Sequence, residues 1–425
     1  MSRIFLLVIA SFAGTGVAKA NGVRWGDAVT AHVEEIRGRN PDLRENAFSK
    51  MGGSSVASKA FLHCFGTEHV DLGEHSHLAE TLAYFGTGRR SSFNRQSEAA
   101  GVSWNLRYVL GGKPANFRRE LAATDARWAL VLFGSNDAQN QNELVYLKRL
   151  LYLLDQMTAM GVVPVLGAAL PRRNKSKDRW IQRFNLITKT VAEHLALPYI
   201  DYHAALSALP KMGLAKDGVH PNVLPPGGYK TSCKLTEEGL RYGNNVRNLL
   251  TLEALDWLRR IAVADGGPQI EPVVNPGAHP TVPLDAEDAS VAEPADAAAI
   301  DELGPEPAPE KVLPVALWLD RTSLSAETVL PKGCGAPRPG TLHYVRRIEL
   351  GERTRLRVSA LDLGGGKSRL RLVRHEAETE PRCVRRRNQT LELDASPGMW
   401  DLIVEVSERP AEEAEILLLI APDPR

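Results

Sequence analysis

Apolar residues in the first part of the chain follow two alternating patterns, short continuous runs and longer segments with helical spacing. The run WALVLFGSND is apolar until it reaches a polar turn, which is typical of a buried parallel strand. The next segment repeats leucine at helical spacing and stops at Gly161. The leucines at helical spacing are Leu144, Leu147, Leu151 and Leu154.

Further strands are predicted at VVPVLGAAL and PYIDYHAAL, with a helix through WIQRFNLITKTVAEHLAL between them. This alternation of strands and helices predicts an α/β domain with an open parallel sheet over residues 21–263. Ligands of such sheets bind at the carboxyl ends of the strands, so polar residues that directly follow a strand are the first functional candidates.

The pattern changes twice after residue 263. Residues 264–310 are rich in Pro, Ala and acidic residues and contain few large apolar side chains, which predicts a mobile acidic linker. From Lys311 the apolar residues recur with period two, as in LHYVRRIEL, RTRLRVSALDL and WDLIVEVSE. Residues 311–425 are therefore predicted to form an antiparallel β-sandwich.

The amino terminus predicts export. Arg3 precedes the apolar run IFLLVIASFAGTGV, and Ala18-Lys19-Ala20 supplies the small residues that a signal peptidase recognises. Residues 1–20 are therefore predicted to be a signal peptide, because the run is too short to span a bilayer. We expect a secreted or periplasmic protein without a membrane span.

The cysteine content bears on disulfide bonds, and the net charge bears on possible binding partners. Four cysteines in an exported protein favour disulfides. The economical pairing is one bridge in each domain, Cys64 with Cys233 and Cys334 with Cys383, although three pairings are open. The formal net charge of +1 gives no overall attraction for nucleic acid or an anionic membrane.

Four polar stretches of the first domain are candidates for one catalytic site: MGGSSVAS, AAGVSWN, FGSNDA and DGVHPN. Asp217 and His220 are three residues apart, so the carboxylate can accept from one ring nitrogen while the other nitrogen faces a nucleophile. Asn136 directly follows a predicted strand, where its amide could donate to a developing oxyanion. A serine of MGGSSVAS would supply the nucleophile.

In order and spacing these stretches resemble the four blocks of the SGNH, or GDSL-type, serine hydrolases. Gly134-Ser135-Asn136-Asp137 and Asp217-Gly218-Val219-His220 match the third and last blocks. The resemblance covers roughly residues 45–255 and implies a three-layer, flavodoxin-like α/β domain with esterase activity. The carboxy-terminal domain is similar to prepeptidase-type or carbohydrate-binding β-sandwiches of secreted hydrolases, which implies binding to polysaccharide or the cell surface.

The chain departs from the family at the nucleophile block. Gly52-Gly53-Ser54 stands where the family has Gly-Asp-Ser, so the acidic residue is missing. Ser54 is the preferred nucleophile because Met51 then fills the apolar position before the first glycine. Ser55 is the alternative, in the register Gly53-Ser54-Ser55.

The glycine block leaves a second choice open. The family's glycine supplies a backbone N–H to the oxyanion, and either Gly101 or Ser103 could do so here. Gly101 is preferred. A glycine is required only if the turn adopts a positive φ.

The resemblance implies acyl transfer through a Ser54, His220 and Asp217 triad, with Asn136 and Gly101 at the oxyanion. The predicted reaction is hydrolysis of acetyl or short-chain esters, including esters of carbohydrates. Two alternatives remain open, O-acetyl transfer to a polysaccharide and a surface-binding protein with a decayed site. The missing Asp at Gly53 is the only support for decay.

A group of histidines is the one hint of a metal. His63, His69, His75 and His77 are close in sequence, but their spacing matches no standard zinc pattern. We therefore predict no metal and no cofactor.

Overall fold

The computed structural model describes residues 25–86, 91–264, 315–319, 341–363, 368–376, 379–407 and 416–422. The predicted signal peptide lies outside these residues, as does the predicted linker apart from Ala264. The chain divides into two compact units. The first contains a parallel sheet and its helices, and the second contains most of the antiparallel strands.

The first unit confirms the predicted α/β class. Five parallel strands form one sheet in the order β2-β1-β3-β4-β5, which is the flavodoxin-like order. The strands are β1 Arg44–Gly52, β2 Ala99–Ala100, β3 Ala126–Leu132, β4 Val163–Gly167 and β5 Tyr199–Ile200. The helices are α1 Asp27–Gly38, α2 Ser54–Ala57, α3 Ala79–Phe85, α4 Leu106–Val109, α5 Asn116–Thr124, α6 Glu143–Ala159, α7 Lys175–His194, α8 Tyr202–Ser207 and α9 Gly243–Val263.

The core of this unit lies along the central strands. Every residue of β3 and of β4 is buried, as the continuous apolar runs predict for strands covered on both faces. The chain order reverses between β1 and β3, which are hydrogen-bonded neighbours. The carboxyl ends of these two strands form the switch point, where sheets of this class bind ligands.

The predicted helix is α6, and its leucines at helical spacing are not all equally buried. Leu147 and Leu154 are buried as expected, whereas Leu144 and Leu151 are only half-buried. The fully buried face also includes Tyr146, Leu150, Leu153 and Met157. Leucine occupies both the buried face of α6 and its half-buried edges. The spacing of the leucines alone therefore does not locate the centre of the buried face.

The second unit confirms the predicted antiparallel β-rich class. The strands of this part of the chain are β6 Val315–Leu319, β7 Thr341–Leu350, β8 Thr354–Asp362, β9 Arg369–Glu376, β10 Thr379–Asn388, β11 Thr390–Ala395, β12 Gly398–Ser407 and β13 Ile416–Pro422. Within the second unit, one four-stranded antiparallel sheet has the order β10-β9-β12-β7, and β11 pairs with β8. Strands β6 and β13 are grouped with the first unit. Burial alternates along β11, as period-two patterning predicts. Binding of polysaccharide by this unit stays a prediction.

Two cysteines of the first unit form the predicted bridge. Cys64 and Cys233 are disulfide-bonded, with their Cα atoms 5.7 Å apart, and both are buried. Cys383 is also disulfide-bonded, and Cys334 lies outside the described residues. No helix in the described ranges is long and apolar enough to cross a bilayer.

Candidate active site

The candidate nucleophile lies on a tight turn between a strand and a helix. Strand β1 ends at Gly52 and helix α2 begins at Ser54. A Cβ atom at Gly52 would clash with Cγ2 of Val56 and would lie 2.8 Å from the carbonyl oxygen of Leu132. The close approach of these two neighbours therefore requires glycine, and the turn presents Ser54 at the carboxyl end of the sheet.

Ser54, His220 and Asp217 form a continuous chain of hydrogen bonds. Oγ of Ser54 is 2.8 Å from Nε2 of His220, and Nδ1 of His220 is 2.7 Å from Oδ2 of Asp217. With the ring proton on Nδ1, the imidazole donates to the carboxylate and accepts from the serine hydroxyl. This is the arrangement of a serine nucleophile, its base and the group that orients the base.

The alternative nucleophile, Ser55, also lines the cleft, but the imidazole pairs with Ser54. The carbonyl oxygen of Ser55 accepts a hydrogen bond of 2.8 Å from Nη1 of Arg247. Arg247 is buried on α9, and its guanidinium carbon lies 3.8 Å from the centroid of the Phe61 ring. Arg247 therefore fixes the backbone immediately after the candidate nucleophile.

The Asp217 carboxylate remains ionised at neutral pH. Its Oδ1 accepts from the backbone N–H groups of Val219, at 2.9 Å, and His220, at 3.0 Å. Partial burial raises the pKa of Asp217, but hydrogen bonds from the His220 ring and from both N–H groups lower it to about 2. The charged carboxylate can therefore stabilise an imidazolium throughout the neutral range.

An arginine that follows β4 holds the loop of this pair. The Arg173 guanidinium donates to the carbonyl oxygens of Ala215, at 2.7 Å, and Lys216, at 2.9 Å. Its backbone N–H donates to the carbonyl oxygen of Gly218 at 3.0 Å. Three hydrogen bonds from one residue thus fix the backbone on either side of Asp217.

Asn136 lies in the same cleft, in the loop after β3. Its Nδ2 donates to the carbonyl oxygen of Trp104 at 2.9 Å, and its Oδ1 accepts from Nε2 of Gln139 at 3.1 Å. An amide nitrogen carries two hydrogens, so one remains for a substrate oxygen. The pair of contacts fixes the plane of this amide.

The structure corrects the expectation for Gly101. The N–H of Gly101 donates to the carbonyl oxygen of Gly52 at 3.1 Å, as part of the pairing of β2 with β1, so it is not free to bind an oxyanion. The positive φ of this turn, 63°, falls on Ser103, which is exposed. Among the described residues, neither Gly101 nor Ser103 lines the cleft, whereas Trp104 does.

Gly53, which stands where the family has Asp, lies against Asn136 and the backbone of Trp104. A Cβ atom at Gly53 would lie 3.0 Å from Nδ2 of Asn136 and 3.3 Å from the carbonyl oxygen of Trp104. Any side chain at this position would therefore require Asn136 to move by a few tenths of an ångström. Here, glycine is compatible with the position of the Asn136 amide.

A buried carboxylate joins the two loops on this side. Asp137 accepts from the N–H of Leu106 at 3.0 Å through Oδ1, and from the N–H of Gly134 at 3.2 Å through Oδ2. Burial raises its pKa to about 6, although the backbone hydrogen bonds oppose the rise. Asp137 thereby holds the loop of Trp104 against the loop of Asn136.

Ser54 and His220 both line one cleft at the carboxyl end of the sheet. Among the described residues that line it, Arg172 alone carries a permanent charge and none is a carboxylate. The lining comprises Gly53, Ser54, Ser55, Trp104, Leu132, Phe133, Gly134, Ser135, Asn136, Leu170, Arg172, Val219 and His220.

Sequence reasoning missed several residues that build this site. Asp137 stood inside the quoted FGSNDA stretch, and Trp104 stood inside AAGVSWN, but neither was given a role. Arg172 and Arg173 follow the predicted strand VVPVLGAAL after Pro171, so the rule that ligands bind at strand ends could have found them. Arg247 lies on a distant helix, and its sequence context carries no signal of its contact with Ser55.

The histidines that suggested a metal have other neighbours. The rings of His63 and His69 lie 5.1 Å and 6.0 Å from the ring of Tyr229. His77 lies within ion-pair distance of Glu253, as does His75. Over the described ranges, no group of three or more His, Cys, Asp or Glu side chains could hold a metal ion.

Known proteins resemble the first unit. Residues 65–224 match the GDSL-like lipase/acylhydrolase family. The matched segment includes Asn136, Asp217 and His220 but begins after Ser54. No curated protein matches the chain.

Solved structures of low identity align with about half of the chain. A GDSL-like lipase from Bacteroides thetaiotaomicron is 16% identical, with 54% of this chain and 98% of that chain covered and a TM-score of 0.33. Axe2, an acetylxylan esterase from Geobacillus stearothermophilus, is 15% identical, with 49% and 93% covered and a TM-score of 0.33. A putative lipolytic protein of the G-D-S-L family from Desulfitobacterium hafniense is 14% identical, with 47% and 99% covered and a TM-score of 0.30.

The family match and the parallel sheet concern the same part of the chain. The match ends at residue 224, four residues after His220, and spans strands β2 to β5. Residues 65–224 of the first unit are thus similar to the GDSL-like lipase/acylhydrolase family.

Proposed function

We propose that this enzyme hydrolyses acetyl or other short-chain esters of carbohydrates, with Ser54 as nucleophile, His220 as general base and Asp217 as the residue that orients His220. The observation that carries the proposal is the unbroken chain of hydrogen bonds from Ser54 through His220 to Asp217. This chain opens into a cleft that also holds the Asn136 amide. The same chain argues against a decayed site, because all three members of the triad are in hydrogen-bond reach.

In the first half of the reaction, Oγ of Ser54 attacks the ester carbonyl carbon while its proton moves to Nε2 of His220. The Ser54 N–H and the second amide hydrogen of Asn136 donate to the oxyanion that forms. The ester C–O bond then breaks, and the alcohol leaves with the proton from His220. The acyl group remains on Ser54.

In the second half, water is the nucleophile. His220 takes a proton from water, which attacks the acyl carbon, and the same proton moves to Oγ of Ser54 as the carboxylic acid leaves. Asp217 keeps its negative charge throughout and stabilises the imidazolium in each half.

The lining of the cleft supports a polar alcohol. Ser55, Ser135 and Asn136 offer hydrogen-bonding groups, and Trp104 offers an aromatic side chain. Sugars combine hydroxyl groups with apolar C–H faces, so this mixture suits a carbohydrate.

Labelling with a fluorophosphonate probe tests the nucleophile. We expect a single adduct on Ser54 by intact mass and peptide mapping, and about 10³-fold or greater loss of acetyl-ester hydrolysis in Ser54→Ala. Ser55→Ala is the matched control, with the adduct retained on Ser54. An adduct on Ser55 would transfer the role of nucleophile to that residue, and no adduct on folded protein would overturn the proposed mechanism.

The proposal also places the enzyme outside the cytoplasm. The buried Cys64–Cys233 disulfide supports an oxidising compartment, in agreement with the signal peptide predicted from the sequence. Fractionation of the native host tests this, and recovery of the protein with full-length amino terminus in the cytoplasm would contradict it.

A further inference from the structure

Arg172 is a charged residue of the cleft that the proposed mechanism does not use. It follows strand β4, and its backbone N–H donates to Oδ1 of Asp178 at 2.7 Å, near the start of α7. Its side chain lines the same cleft as Ser54 and His220. A well-anchored backbone therefore positions this guanidinium beside the reacting groups.

Among the described residues, the Arg172 guanidinium makes no hydrogen bond and no direct ion pair, although the charges of Asp217 and Asp178 act on it. Asp217 is occupied by His220 and by two backbone N–H groups. Asp178 accepts from Nε2 of His203 at 3.1 Å and from Nε2 of Gln182 at 2.7 Å, besides the Arg172 N–H.

The side chain is nevertheless partly buried and charged. Burial lowers the pKa of Arg172, while the nearby Asp217 and Asp178 raise it. A guanidinium stays protonated at all physiological pH values and carries five N–H donors. Removing such a group from water is costly unless an acceptor replaces the lost hydration. A bound anionic group would supply that acceptor.

The described lining of the cleft has no acidic side chain that would repel an anion. No carboxylate is among the described lining residues, and the remaining polar lining consists of Ser54, Ser55, Ser135, Asn136 and His220. An arginine pairs best with a planar carboxylate because two parallel N–H groups can donate to its two oxygens. The small acyl group is directed to Ser54, so the anion belongs to the alcohol half of the ester.

We propose that Arg172 binds a carboxylate on the sugar that carries the ester, so that the preferred substrates are acylated acidic carbohydrates such as esters of uronic acids. This inference rests on the proposed function and specifies its substrate class. It makes Arg172 a specificity-determining residue, whose contribution is measured as discrimination between a charged and a neutral sugar.

A matched pair of esters tests the proposal. Monoacetylated methyl glucuronide and the same acetyl ester of methyl glucoside differ only in the carboxylate. We expect the wild-type kcat/KM to favour the glucuronide by about tenfold or more, and Arg172→Gln to lower this ratio by roughly 10- to 100-fold. Arg172→Lys, which keeps the charge but not the fork of donors, should give an intermediate ratio.

Arg107→Gln is the control. This exposed arginine of α4 is not among the lining residues, so its loss should leave the ratio unchanged. A wild-type ratio near one would overturn the proposal. An equal loss on both esters in Arg172→Gln would also overturn it, since that result would mean that Arg172 acts on the triad rather than on the sugar.

A binding measurement separates this inference from the proposed chemistry. Calorimetry with Ser54→Ala protein and the unacylated methyl glucuronide or methyl glucoside requires no hydrolysis. The site would be supported, even if neither ester were cleaved, if the glucuronide bound at least tenfold more tightly than the glucoside. This difference should disappear in the double variant Ser54→Ala, Arg172→Gln. Equal affinity for both sugars would reject it even if Ser54 proved to be the nucleophile.

Discussion

Gly53 lies directly before Ser54 and packs against the Asn136 amide. The hydrogen bonds from Ser54 through His220 to Asp217 form without an acidic residue at this position. In the proposed mechanism the acid is Asp217, on a different loop, so a carboxylate at Gly53 would take no part in proton transfer.

A methyl group at Gly53 should displace the amide of Asn136. We expect Gly53→Ala to lower kcat on an acetyl ester by roughly 10- to 100-fold, because one oxyanion donor contributes about 10²–10³ in kcat. The φ of −84° at this residue accepts alanine, so the thermal midpoint should change little. Steady-state kinetics and a thermal melt measure the two effects.

Gly38→Ala is the matched control for this substitution, because a Cβ atom there would meet nothing within 4 Å. Its kcat should equal that of the wild type. Full activity in Gly53→Ala would mean that the Asn136 amide does not hold the oxyanion.

At the scale of the elements, strand ends and the loops after them create the site. Ser54 follows β1, Asn136 follows β3, and Arg172 and Arg173 follow β4. Buried side chains then fix these loops to one another. Asp137 joins the loops after β2 and β3, and Arg247 of α9 holds the turn after β1.

The raised pKa of Asp137 predicts a pH-dependent stability. Its pKa rises from an ordinary value of 3.8 to about 6 in the folded protein, so the folded state binds a proton more tightly than the unfolded chain. The contribution of Asp137 to the free energy of unfolding therefore falls as pH rises from about 4 to about 6 and stays low above that range. The pKa difference corresponds to a loss on the order of 3 kcal/mol.

Urea unfolding of the wild type and of Asp137→Asn at pH 4, 5, 6 and 7 measures this contribution. The variant has no titrating group at this position, so the difference in free energy between the two proteins should shift in favour of the variant as pH rises. A difference that is constant from pH 4 to pH 7 would show that Asp137 is not titrating in this range.

At the scale of the whole molecule, the disulfide links parts of the first unit that are distant in sequence. Cys64 and Cys233 are separated by 169 residues. Cys64 follows the turn of Ser54 in sequence, and Cys233 follows the loop of His220. Asn248 of α9 adds hydrogen bonds to the same region, to the carbonyl oxygens of Ala60 and Ser232.

Removal of this bridge should destabilise the protein. We expect the double variant Cys64→Ala, Cys233→Ala to lose about 3–5 kcal/mol of unfolding free energy, because the unfolded chain regains the freedom of a long loop. Urea unfolding under oxidising conditions measures the loss. A change below about 1 kcal/mol would mean that packing and the Asn248 hydrogen bonds alone hold these segments together.

The sequence by itself determined the class of each unit and three members of the site. Continuous apolar runs indicated buried parallel strands, period two indicated the antiparallel sheets, and the Asp217–His220 spacing indicated a carboxylate–imidazole pair, because each of these signals is local. Spacing also placed Asn136 at a strand end.

Only the tertiary structure decided which groups meet across the chain. It paired His220 with Ser54 rather than Ser55, engaged the Gly101 N–H in strand pairing, and brought Asp137, Arg172 and Arg247 to the site. The physical reason is that these contacts depend on how strands and helices distant in sequence pack together. Local patterns determine what an element is, but packing determines which side chains it places beside the nucleophile.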